Sequence, residues 1–92
     1  MSFSTPTTVP SGMSVPVLAV EGRIPSSLAD FVGETSFLVD LDPPHLVHGA
    51  GSLEDEVVSF HEKDLDNNGK DIRVWEVRIE GSRFTAQHAA RF

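Results

Sequence analysis

Residues 57–80 read VVSFHEKDLDNNGKDIRVWEVRIE, and the fold turns on the pair Asn68-Gly69 near their middle. Asn-Gly is the preferred pair for a two-residue type I′ turn, because both central residues need positive φ and the turn's twist matches that of the strands it joins. A hairpin centred there opposes residues whose numbers sum to 137. One face then carries Val58 against Ile79, Phe60 against Val77, Glu62 against Trp75 and Asp64 against Arg73. The other carries Val57 against Glu80, Ser59 against Arg78, His61 against Glu76 and Lys63 against Val74. The first face is apolar toward its base and the second is polar, as a half-buried antiparallel pair requires. A helix over Leu53–Lys63 competes for the same residues, with Ser52 and Asp55 at its start. The hairpin accounts for more of them.

C-terminal to this pair, Glu80-Gly81 marks a further turn, and Ser82–Ala86 is expected to return as a strand that brings Phe84 near Val77. The last residues, TAQHAARF, read as a helical tail. N-terminal to it, Pro16–Val20 and Glu34–Leu41 read as strands. Phe37, Val39 and Leu41 share one face of the second, and Asp42-Pro43-Pro44 ends it because proline donates nothing to a ladder. Between them, Ser27–Val32 reads as one short helix. Ser27 and Asp30 cap it, Leu28, Phe31 and Val32 form its apolar face, and Gly33 stops it. His45–His48 is a brief strand, and Gly49-Ala50-Gly51 a flexible break.

The first fifteen residues, MSFSTPTTVPSGMSV, carry no charged side chain and are rich in Ser, Thr and Pro. They lack the basic start and apolar run of a secretory signal. They read as an extended arm over residues 1–15, with Phe3, Val9 and Met13 as anchors on a neighbouring subunit. Residues 16–92 then form a single small domain. The fold class expected is α+β and β-rich: a small antiparallel sheet or partly open barrel with one short helix and an extended N-terminal arm. Such a sheet leaves unpaired edges that invite a partner strand.

The 92 residues hold 14 acids and 7 Lys or Arg, a net charge of −7, and no cysteine. The charge opposes binding to a phosphate backbone or an anionic membrane surface. The missing thiols exclude disulfides, thiolate metal sites and a cysteine nucleophile. No apolar run is long enough to span a bilayer as a helix.

Candidate chemistry is sparse. Asp64-Leu65-Asp66-Asn67-Asn68-Gly69 matches the first half of a calcium loop, but Trp75 stands where the bidentate glutamate belongs. His45 and His48 need further zinc ligands, from Asp40, Asp42, His61 or His88, that no spacing brings to them. No nucleophile elbow or phosphate loop is present. No catalytic, cofactor-binding or metal-binding residue is therefore assigned, no cofactor is expected, and no small-molecule substrate is expected.

The function expected is that of a non-catalytic accessory or structural subunit of a larger protein assembly, intracellular or virion-associated, that binds neighbours through its arm and strand edges. One alternative is a small acidic inhibitor whose Glu54, Asp55 and Glu56 fill a basic groove on a target. Another is a calcium- or small-ligand-binding domain.

Overall fold

The computed structural model describes residues 13–91, with side chains as far as Ala89. Six strands follow one another: β1 (Ser14–Val20), β2 (Gly33–Val39), β3 (His45–Glu54), β4 (Val57–Asp64), β5 (Lys70–Glu80) and β6 (Arg83–Arg91). Each pairs antiparallel with the next, and β6 returns to β1, so the sheet closes into a barrel. The expected α+β fold with a partly open sheet is thereby corrected. The helical content of the described residues is one 3-10 turn, Leu28–Phe31, and closure pairs the edge strands that an open sheet would expose. The tail expected to be helical is β6. Its positions Phe84, Ala86 and His88 share one face, opposite Ile79, Val77 and Trp75 of β5, a strand period that the run of small residues masks.

The β4–β5 hairpin forms, and the alternative helix over Leu53–Lys63 does not. Asn68 and Gly69 take φ of 58° and 70°, and the N–H of Lys70 donates to the carbonyl of Asn67, as the I′ turn requires. The pairing beyond it differs from the expected register. A second turn precedes the first, with the N–H groups of Asn67 and Gly69 both donating to the carbonyl of Asp64. The Asp64 carboxylate fixes it by accepting from the N–H of Asp66 at 3.0 Å, the local bond that favours Asp at turns. Asp64 therefore pairs with Lys70.

That extra turn alone would shift the register by an odd number and flip every side chain. A bulge at Ile72 takes one residue back, so Phe60 opposes Trp75 and Val58 opposes Val77. The net displacement is two residues. Faces survive and partners change: Ser59 opposes Glu76, His61 opposes Val74, and Glu62 opposes Arg73.

One end of the barrel is plugged by the 3-10 turn, whose Leu28 and Phe31 are buried. Asp30 holds its start, accepting from the N–H of Ser26 at 2.6 Å and of Ser27 at 3.3 Å. Val32, expected on the apolar face, is instead half exposed, because the chain leaves the turn there in extended conformation. Phe31 packs edge-on against Phe37 and Phe84, and Phe37 against Phe60, with centroids 4.8–5.6 Å apart. This is the geometry aromatic quadrupoles favour.

The stretch Gly49-Ala50-Gly51 is no break: β3 runs straight through it. A Cβ on Gly49 would strike the carbonyl of His61 and the ring of Phe60, and one on Gly51 the carbonyl of Phe31. These glycines give room for Phe60 and the plug.

Candidate functional site

At the end opposite the plug, the interior turns polar. Four strands contribute. β4 brings Glu62 inward on the face of Val58 and Phe60, and β5 brings Arg73 and Trp75. β3 brings His45, and β6 brings His88, which pairs with Trp75. Glu62 is only 4% exposed. Its Oε1 accepts from the indole Nε1 of Trp75 at 2.8 Å and lies 3.2 Å from Nε of Arg73. Its Oε2 lies 3.3 Å from Nε2 of His45. The imidazoles of His45 and His88 stand 6.1 and 5.8 Å from the Trp75 ring.

A carboxylate taken from water is tolerable only with such partners. Both oxygens of Glu62 are engaged by protein groups. That arrangement fixes the indole and closes the core. It differs from a general acid or base, whose carboxyl must reach a substrate proton.

Charged pairs on the outer wall are looser. His48 shares a 2.7 Å hydrogen bond with the Ser36 hydroxyl and stands 3.7 Å from Glu34. His61, expected opposite Glu76, pairs instead with Asp71 at 3.6 Å. The two histidines of His45–His48 thus lie on opposite faces, since three residues apart on a strand means one in and one out. Among the described residues no group of three or more His, Cys, Asp or Glu is placed to hold a metal ion. Nor is any helix among them long and apolar enough to cross a membrane.

Of the candidate partner-binding residues, Phe3 and Val9 lie outside the described residues. Met13 is exposed where the chain enters β1. Glu54, Asp55 and Glu56 are all exposed at the β3–β4 tip, at the plugged end. There Asp55 and Glu56 themselves adopt φ of 53° and 60°. The sequence gives no Asn-Gly at this tip, which is why its turn is hard to read.

The outer wall also holds a feature that sequence pattern alone does not show. Ala19, Leu38 and Leu46 are direct cross-strand neighbours on β1, β2 and β3, alternating with buried residues and so facing outward. Leu18 bulges out beside them on β1 and is 38% exposed; Leu46 is 55% exposed. Leu65, 67% exposed, opens the β4–β5 loop at the same end. Each leucine looks isolated in the chain, and only the strand register assembles them.

Compared with known proteins, the chain matches no family model, no curated protein and no solved structure.

Proposed function

We propose that this chain is a non-catalytic accessory or structural subunit of a larger protein assembly, and that it meets its neighbour through the leucine stripe of β1–β3. The stripe carries the proposal. Leu18, Leu38 and Leu46 adjoin one another on the outside of a chain whose net charge is −7. Contiguous apolar surface on a small soluble barrel marks an interaction site, whereas scattered apolar residues need no explanation. The saturated contacts of Glu62 favour a binding role over a chemical one.

Burying a leucine is worth about 1.5–3 kcal/mol. Leu46→Asp replaces that gain with the cost of desolvating a charge. Its expected effect is loss of a stoichiometric partner in affinity purification at moderate salt, read by mass spectrometry, while the far-UV spectrum and melting temperature stay as in the wild type. Retention of the same partner by Leu46→Asp would reject the reading.

A further inference from the structure

The plugged end carries a second apolar surface, distinct from the leucine stripe. Leu53 sits at an inward register position of β3, opposite buried Val58, yet is 50% exposed. Ile79 follows inward-facing Trp75 and Val77 on β5, opposite Phe84, yet is 54% exposed. Both strands run on past the 3-10 plug, so their last inward side chains stand clear of the core. Val32 leaves the plug beside Gly33, which pairs with Gly51, and is 48% exposed. Ile24, in the same β1–β2 connection, is 80% exposed. These four residues rim the end whose centre is filled by Leu28 and Phe31.

The charges around that rim specify what covers it. Glu54, Asp55 and Glu56 form one tip, Glu80 begins the next, and Glu21 begins the β1–β2 connection; Arg23 and Arg83 are the bases there. An apolar surface ringed by excess acid disfavours three occupants. A second copy would bring like charge against like, and phosphate backbones and anionic membranes are repelled as well.

We propose that the plugged end docks a cationic amphipathic segment of a partner protein, its apolar face on Ile24, Val32, Leu53 and Ile79 and its Lys or Arg side chains over the surrounding carboxylates. The surface acts independently of the leucine stripe, so the chain bridges two neighbours.

The test uses the full chain, labelled for NMR, and a synthetic amphipathic peptide of leucine and lysine as probe. Shift changes are expected at Ile24, Val32, Leu53 and Ile79. Ile24→Ser, at an exposed loop position, and Leu53→Ser with Ile79→Ser are each expected to weaken binding by about tenfold or more. Amide replacement of Glu54, Asp55 and Glu56 should weaken binding and flatten its salt dependence. Asp64→Asn with Asp66→Asn, at the opposite end, should leave it unchanged, as should Leu46→Asp, whatever the fate of the stripe.

The proposal is overturned if a scrambled peptide of the same composition binds equally well. Shift changes spread over the acids of both ends would overturn it too, as would self-association through this end seen by light scattering.

Discussion

Replacing Glu62 by glutamine removes one charge from the barrel interior and keeps the shape. The amide oxygen still accepts from the Trp75 indole, but Arg73, its side chain 16% exposed, and His45, at 18%, lose their carboxylate. Breaking a buried pair by deleting one partner costs about 3–5 kcal/mol. The residual exposure of Arg73 and His45 puts Glu62→Gln at the lower end, about 3 kcal/mol. That is a large part of the roughly 5–10 kcal/mol available to a domain of this size. A loss of about 3 kcal/mol lowers the melting temperature by about 12–24 °C.

The assay is urea and thermal unfolding followed by far-UV dichroism and by the fluorescence of Trp75, the chain's single tryptophan, which touches the mutated group. The discriminating variant is the double change Glu62→Gln with Arg73→Leu, which removes both charges together and leaves the Trp75 indole its acceptor. Deleting one partner leaves the other's charge buried and uncompensated, so the double variant, which has no such charge at Arg73, should be more stable than Glu62→Gln alone. A Glu62→Gln loss below about 0.5 kcal/mol would refute the reasoning. So would a double variant no more stable than the single one.

Two further outcomes follow from the packing and capping. Gly51→Ala places a methyl against the Phe31 carbonyl and the Phe60 ring and should cost about 2–3 kcal/mol by overpacking; a denaturation midpoint unchanged from wild type would show that the plug shifts freely. The backbone N–H of Ser26, chiefly, holds the Asp30 carboxyl below its ordinary value of 3.8. Its contribution to stability is therefore complete above the ordinary carboxylate range and fades as pH falls through the lowered value. The melting-temperature gap between wild type and Asp30→Asn should be constant near neutrality and close in acid, and a gap independent of pH would contradict this.

Much of the barrel's wall is legible in the chain. The alternation of Val58, Phe60, Glu62 against Ser59, His61, Lys63 identifies β4 and its inward face, and Asn68-Gly69 locates the hairpin. The same alternation places Glu62 beside the tryptophan face, although the acid excess around it suggests a solvated stretch. What escapes reading is what depends on distant pairing. Asp64 adds a turn, Ile72 compensates for it, and neither is visible without its partner strand. The small residues of Thr85–Ala90 hide a strand because the side chains that define its inward face, His88 and Ala86, take their meaning from Trp75 and Val77. Gly49 and Gly51 look like a hinge when read along the chain, and become clearance for Phe60 only once β4 and the plug are beside them. The leucine stripe and the apolar rim share this property. Each is assembled by register from residues far apart in sequence.

The seam where β6 meets β1 sets how this barrel comes apart. Among the described residues the ladder there runs through Ser14–Gln87, Val15–Ala86 and Pro16–Thr85, and Pro16 brings no N–H to it. Every other junction is longer or is joined by a connection within the chain. Local opening therefore begins at the seam, at a lower free energy than global unfolding. The opened form is a six-stranded meander with β1 and β6 as bare edges. It is the species whose amides would exchange first with solvent, and the one through which strands could be traded between chains.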